Sequence, residues 1–223
     1  MSHKVVRQLI DPESIVVVGG SKNTHKPGGK ILKNILDGSF KGELHVVNPK
    51  ETEVQGVKSY NSVEEIPATD LAILAIPAGF CKDTVKVLLD NKGTRAFIII
   101  SAGFAEENDE GAEIEKEISE MISDAGASLI GPNCIGVMTP NYQAVFTSPI
   151  PKLSPNGCDF ISGSGATAVF IMESGIPKGL TFSNVFSIGN SAQLGVEEML
   201  EYLDETYENG KSSNIKILYI ESI

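Results

Sequence analysis

The chain has 223 residues, 41% hydrophobic and 21% charged, with a formal net charge of −11 at pH 7. That length accommodates one large or two small α/β domains, and the acidic balance excludes the basic footprint on which a nucleic-acid binder relies. No apolar run reaches the roughly 18 residues of a membrane span, Met1 to Arg7 lacks the apolar segment of a signal peptide, and three cysteines without metal spacing (Cys81, Cys134, Cys158) read as free thiols of a reducing cytoplasm.

Ser14 to Gly19 is short, apolar and β-branched, the pattern of a buried parallel strand. Gly19 to Gly29 follows as a loop rich in glycine and polar residues. Lys30 to Leu36 carries apolar residues at helical spacing (Ile31, Leu32, Ile35, Leu36) and stops at Asp37-Gly38. Glu43 to Val47 predicts a second strand, closed by Asn48-Pro49-Lys50. Asp70 to Ile76 predicts a third, stopped by Pro77. Ala78 to Asn91 is amphipathic and ends before Gly93. Arg95 to Ile100 predicts the fourth strand and Ser128 to Ile130 the fifth. Between them, Asp109 to Ala125 reads as a helix whose acidic first turn suits the helix dipole.

Strands alternating with helices at this spacing predict a parallel, doubly wound sheet of the Rossmann-like α/β class, in which ligands bind at the carboxyl ends of strands. Those ends are Gly19 to Lys22, Asn48 to Lys50, Ile76 to Ala78, Ser101 to Phe104 and Gly131 to Cys134, all small or polar. Asn141 to Asn156, with Pro149, Pro151 and Pro155, reads as a linker. A first domain is therefore expected over residues 1–143 and a second over 144–223. The second repeats the β/α logic: strand 158–162, helix 166–174, strand 181–187, helix 195–208, strand 215–220. The chain stops directly after a strand, which predicts a piece of a longer protein.

The first loop lacks the Gly-x-Gly-x-x-Gly fingerprint of dinucleotide binders and carries Lys22, His25 and Lys26 instead. The second strand ends in Lys50 where an NAD site would place Asp or Glu. A lysine there suits a phosphorylated ribose. Coenzyme A fits, with NADP as the competing ligand and a solvated surface lysine as the plain alternative. Cys134 stands where a thiol or acyl group could arrive, or is a small buried hydrophobe; no base accompanies it, so it is not assigned as a nucleophile. Asn133 is a hydrogen-bonding residue for a pantetheine arm or a turn residue. Ser162-Gly163-Ser164-Gly165-Ala166-Thr167 opens a helix after a strand, a ready anion site. Ser164 could equally be only a helix cap. The order is not a Gly-x-Ser-x-Gly elbow, and no His follows His45. Glu221 sits at a strand end, an address shared by functional and ordinary surface carboxylates.

Several segments, in this order and spacing, resemble the nucleoside-diphosphate-forming acyl-CoA synthetases, the family of ADP-forming acetyl-CoA synthetase and the succinyl-CoA synthetase α subunit. They are Val16 to Lys22, Val47 to Lys50, Leu74 to Ala78, Ser101 to Glu106, Gly131 to Gly136, Ser162 to Ala166, Ser187 to Asn190 and Tyr219 to Glu221. The resemblance implies a coenzyme A-binding Rossmann-like domain followed by a truncated flavodoxin-like domain. It implies that Gly20, Ser21 and Lys22 meet the coenzyme A phosphates and Lys50 the ribose phosphate. Pro77, Ser101, Ala102, Gly103, Asn133 and Cys134 would line the pantetheine and thiol. Ser164, Gly165 and Ala166 would hold a phosphoryl group, and Glu221 would be the catalytic glutamate that contacts a phosphorylated histidine.

The family joins a small carboxylic acid, coenzyme A and ATP or GTP with Mg²⁺ through acyl phosphate and phosphohistidine intermediates. It uses an ATP-grasp domain or subunit and commonly forms oligomers. In this sequence no histidine stands after Glu221 and no nucleotide-grasp portion is present, so the chain alone is expected to bind coenzyme A without turnover. Gly163 replaces a longer polar residue usual in the family. The competing functions are a non-catalytic coenzyme A-binding or redox-sensing module and an NADP-binding oxidoreductase domain.

Overall fold

In the computed structural model, residues 4–38, 40–148 and 150–221 are described. His3, Pro149 of the expected linker and the final Ser222 and Ile223 lie outside these ranges. A short helix α1 (Arg7–Ile10) precedes β1 (Ser14–Val18). There follow α2 (Pro27–Asp37), β2 (Glu43–Val47), β3 (Glu53–Val54), β4 (Val57–Tyr60) and β5 (Leu71–Leu74). Then come α3 (Cys81–Lys92), β6 (Ala96–Ile99), α4 (Asp109–Asp124) and β7 (Ser128–Ile130). The second half contains β8 (Gly136–Met138), β9 (Gln143–Val145), β10 (Leu153–Ser162), α5 (Gly165–Gly175), β11 (Phe182–Ser187), α6 (Val196–Glu205) and β12 (Lys216–Tyr219).

Ile15 to Val18, Leu71 to Leu74 and Ala96 to Ile99 are buried. Strands covered on both faces have no polar side to present, and the sequence supplies apolar residues without alternation. The first sheet has the order β3-β4-β2-β1-β5-β6-β7 and is parallel except for β3. The second has the order β12-β10-β11-β8-β9: β10, β11 and β12 run parallel, and β8 and β9 close it antiparallel. One apolar cluster joins them, running from Ile15, Val17 and Ile31 to Val137, Tyr142, Ile161, Phe186 and Met199. No helix among the described residues is long and apolar enough to cross a membrane.

The expected α/β class and the order of its elements hold, with four corrections. Helix α2 starts at Pro27, not Lys30. Pro27 occupies the first turn, where a missing N–H costs nothing. Gly28 and Gly29 are helical because the backbone crowds them: a Cβ on Gly28 would fall 2.2 Å from the Gly19 carbonyl oxygen. The hairpin β3–β4 was not anticipated. Its turn is Gln55-Gly56, both at positive φ (53° and 83°), and a glutamine in the first position hides the usual Asn-Gly signal. The expected linker 141–156 contains β9 and the start of β10, since Pro151 precedes β10 and Pro155 lies in its first residues, before the continuous ladder that begins at Cys158. The division expected at 143/144 therefore falls inside β9. Sheet membership changes earlier, between Ile130 and Gly136.

The two sheets are joined by more than apolar packing. The loop after β7 and the segment after β11 exchange backbone bonds. Gly131 N–H donates to Ile188 (3.1 Å), Asn190 N–H to Pro132 (2.9 Å) and Ala192 N–H to Gly131 (3.3 Å). Gly189 makes the approach possible: its φ is +66° and a Cβ would lie 2.2 Å from the Pro132 oxygen. The buried Gln193 accepts from Leu129 N–H (2.6 Å) and donates to Ala127 O (3.1 Å) and Ser123 Oγ (2.9 Å). It completes the open edge of β7 as a neighbouring strand would. On the opposite side Asn34 of α2 donates to the Val145 and Thr147 carbonyls.

Replacing Gln193 with Ala strands Leu129 N–H and Ala127 O in the interior, so unfolding free energy in urea falls by about 1–3 kcal/mol. Lys211→Ala, which removes only an exposed pair with Glu208, leaves the unfolding midpoint in place.

Candidate functional site

The loop after β1 is held in shape by its neighbours. Gly20 is buried, and its carbonyl accepts from Asn48 Nδ2 at 2.7 Å. Gln55, at the tip of the β3–β4 hairpin, donates to the carbonyls of Ser21 (2.8 Å) and Gly29 (2.9 Å). Ser21 Oγ accepts from Asn23 N–H at 3.1 Å. Lys22 is paired with Glu51, whereas Lys50 is exposed and its N–H donates to Asn48 Oδ1 at 2.9 Å. Thus Gly20 shapes the loop from behind, and Ser21, Lys22 and Lys50 stand around its rim. Pro77 is exposed at the end of β5, beside Ser101, whose Oγ donates to the Ile76 carbonyl. Ala102 is exposed, and Gly103, at φ +102°, donates its N–H to Glu106 Oε1 at 2.7 Å. The strands carrying these residues, β2, β1, β5 and β6, are consecutive neighbours. The sheet order therefore places all eight residues along one carboxyl edge.

At the end of that edge a cavity of about 520 Å³ opens between the sheets. Asn133 and Cys134 line it from the first sheet, and Ser164, Gly165, Ala166 and Glu221 from the second. Ser164 caps α5, its Oγ accepting from Thr167 N–H at 3.4 Å, so the cap alternative holds. The N–H groups of Gly165 and Ala166, in the first turn, have no intrahelical acceptor. Gly165 carries no side chain because a Cβ would reach 2.7 Å from Ile135 Cγ2. At Gly163 the nearest atom to a Cβ is 3.6 Å away, so space there does not demand glycine. Gly163, Gly189, Asn190 and Glu221 also border a second recess of about 760 Å³, walled by Leu200 and Ile220.

Cys134 is buried with its thiol 3.4 Å from the Ile99 carbonyl, and burial pushes its pKa up to about 12. A thiol held neutral is no nucleophile. Cys81 is likewise pushed up to about 12 by burial, and Cys158 is raised for the same reason. Among the described residues no group of three or more His, Cys, Asp and Glu converges as a metal site.

Four residues gain a role only in the structure: Asn48, Glu106 and Asn190, which the sequence marked only as members of strand-end or resembling segments, and Gln55, which it did not mark. Asn190 donates from Nδ2 to Glu106 Oε2 (2.5 Å) and Glu115 Oε2 (2.8 Å), and accepts from Asn133 Nδ2 at 3.3 Å. Burial raises the Glu106 pKa, but hydrogen bonds from Asn190, Gly103 and Phe104 outweigh it and hold the carboxyl below its ordinary range. The Gly189-Asn190 pair was visible only as part of a resembling segment. Its partners lie 57 to 84 residues away, a separation that local pattern does not span.

Residues 13–140 match the family model described as CoA binding domain, and residues 155–223 that described as succinyl-CoA ligase-like flavodoxin domain. The chain is 39% identical over 218 residues to the ADP-forming acetate–CoA ligase II subunit alpha of Pyrococcus furiosus, covering 96% of this chain and 46% of the relative. It is 30% identical to the ADP-forming 4-hydroxybutyrate–CoA ligase of Nitrosopumilus maritimus, covering 96% of this chain and 30% of the relative. Acetyl-coenzyme A synthetase 1 of Ca. Korarchaeum cryptofilum, solved with phosphate and ADP, superposes with a TM-score of 0.87 at 29% identity, over 97% of this chain and 45% of that one. This chain spans less than half the length of each. With both family models matching in this order along the same two-sheet fold, the chain belongs to the CoA-binding domain family, in the arrangement of the N-terminal portion of the nucleoside-diphosphate-forming acyl-CoA synthetases.

Proposed function

We propose that this chain supplies the coenzyme A and phosphate sites of an enzyme that interconverts acid, coenzyme A and nucleoside triphosphate with acyl-CoA, nucleoside diphosphate and phosphate. One observation carries the reading. Asn133 and Cys134, at the end of the first sheet's carboxyl edge, line one cavity with the N-terminus of α5, so a ligand laid along the edge would deliver its reactive end to an anion site.

In this reading the coenzyme A diphosphate lies at Gly20, Ser21 and Lys22, and Lys50 meets the 3′-phosphate. Lys22 exchanges its exposed partner Glu51 for phosphate, a cheap step because such pairs are worth about 1 kcal/mol or less. The pantetheine passes Pro77, Ser101, Ala102 and Gly103, and the thiol arrives at Asn133 and Cys134. Cys134 contributes a neutral wall. The phosphoryl group of an acyl phosphate sits on the Gly165 and Ala166 N–H groups at the mouth of α5, with Ser164 beside it. Attack by the sulfur on the acyl carbonyl forms the thioester as the carbonyl–phosphate bond breaks, and the thiol proton leaves with the phosphate. The first-turn N–H groups and the helix dipole stabilise the departing charge.

Glu221, on the cavity wall, would receive a phosphorylated histidine supplied from outside these residues. ATP or GTP with Mg²⁺ would be held by an ATP-grasp domain or partner subunit, and covalent relay would link the two reactions. The relatives' names differ in acyl group, acetate against 4-hydroxybutyrate, across the same matched region. The first-sheet edge is therefore assigned to coenzyme A and not to choice of acid. Redox sensing finds no support in three buried cysteines, two of them pushed up to about 12.

Calorimetry on the 223-residue chain is expected to show coenzyme A binding, weakened about tenfold by Lys50→Ala, while dephospho-coenzyme A binds wild type and variant alike. Preferential NADP binding would overturn the ligand assignment. In the complete enzyme, Glu221→Gln should lower turnover roughly 10²-fold with the affinity for coenzyme A intact. Cys134→Ala should preserve turnover; its loss would return the thiol to the chemistry.

A further inference from the structure

We infer that Asn190 is a positioning residue that sets the pantetheine-side loop of the first sheet from the second sheet, through Glu106; the inference rests on the coenzyme A reading above. Asn190 belongs to neither the phosphate helix nor the coenzyme A edge, yet from the second sheet its amide reaches three side chains of the first, Glu106, Glu115 and Asn133. Its Nδ2 is shared by Glu106 Oε2 at 2.5 Å and Glu115 Oε2 at 2.8 Å. The other oxygen of Glu106 accepts from Gly103 N–H (2.7 Å) and Phe104 N–H (3.3 Å). Glu115 Oε2 accepts from Ala105 N–H at 3.2 Å. Three consecutive N–H groups, 103 to 105, are thus fixed by two carboxylates that one amide from the other sheet holds together. On its far side Asn190 Oδ1 accepts from Asn133 Nδ2 at 3.3 Å.

The charge balance explains why the link has to be an amide. Two carboxylates that converge on one nitrogen repel each other unless a donor stands between them. An Asn side chain offers two N–H donors to the carboxylates and a carbonyl to Asn133, which no other short neutral side chain does. Its position is independent of those side-chain bonds, because Asn190 N–H is anchored on the Pro132 carbonyl at 2.9 Å. The residue also lines both recesses that meet at Gly163 and Glu221. A ligand that displaces Asn190 therefore releases the 103–105 loop, and a ligand that orders the loop fixes Asn190. Coenzyme A and phosphate are coupled through this side chain, reciprocally by linkage.

The test uses the 223-residue chain with coenzyme A and inorganic phosphate as the probes. Asn190→Asp places a carboxylate against Glu106 and Glu115. Adding Glu106→Gln restores a donor facing residue 190 and still leaves an oxygen for Gly103 N–H. Asn190→Asp is expected to weaken coenzyme A about tenfold in calorimetry and to speed hydrogen exchange at the Gly103 and Phe104 amides in NMR. The double variant is expected to recover most of both.

Asn190→Ala, which adds no charge, serves if Asn190→Asp fails to fold, with the same expected direction. In the wild type, saturating phosphate should change coenzyme A affinity, and this coupling should vanish in Asn190→Ala. Wild-type coenzyme A affinity and unchanged Gly103 exchange in Asn190→Ala would overturn the inference. So would weaker binding with no change in exchange and no rescue, because binding would then be lost by a route other than the 103–105 loop. If the wild-type chain bound no coenzyme A, the functional reading would fall, while Gly103 exchange would still judge the network by itself.

Discussion

The backbone contact between Gly131–Asn133 and Ile188–Asn190 is the constraint on which the cleft depends. Two sheets with separate crossovers have no intrinsic reason to keep a fixed angle. Here the loop leaving β7 and the loop leaving β11 bond to each other directly, and Gly189 is close enough to Pro132 to leave no room for a side chain. Gln193 extends the contact along the edge of β7, where unpaired N–H and C=O groups would otherwise be exposed. Asn34 and the shared apolar cluster hold the opposite side. A cavity whose two walls come from different sheets keeps its width only because of these contacts.

The electrostatics of the site are spare. A chain with a net charge of −11 repels polyanions at long range, so an anionic ligand must be held by local features. Those features are Lys50, a Lys22 that already has Glu51 for company, and the unpaired N–H groups that open α5. Each is weak alone. In the proposed reading they would act together on one ligand, and Asn48 and Gln55 would already have removed the loop freedom that binding otherwise has to freeze out. The same logic disposes of Cys134. Burial keeps its thiol neutral, and it lines the cavity as part of the wall.

The residues that made the fold legible were the uninterrupted apolar strands, Ile15 to Val18 and Ala96 to Ile99, each followed by small or polar residues. Burial on both faces writes itself into composition, and the small and polar residues at the carboxyl ends mark where each strand stops. What failed was local. Gly28 and Gly29 were read as freedom when they are close contact inside a helix. Pro151 and Pro155 were read as a linker when one precedes β10 and the other lies in its first residues, ahead of the continuous ladder from Cys158. Gln55-Gly56 turned a hairpin without its usual residues. For the glycines and prolines a residue type with two physical uses was assigned the commoner one, and the hairpin turn carried no recognisable signal.

By itself the sequence determined the α/β class, the acidic balance and, through the order of its motifs, the family. These follow from near neighbours in the chain: periodicity, turn residues and helix caps act over a few positions. Only the tertiary structure decided that Asn133 and Cys134 share a cavity with the N-terminus of α5, that Lys22 is paired, that Cys134 is buried and that Asn190 joins the sheets. Those properties depend on residues 29 to 84 positions apart, such as Lys22 with Glu51 and Glu106 with Asn190, brought together by strand order and loop contact. Hydrogen bonds and burial are functions of distance in space, and no local pattern in the chain encodes which distant carbonyl or carboxylate will stand opposite.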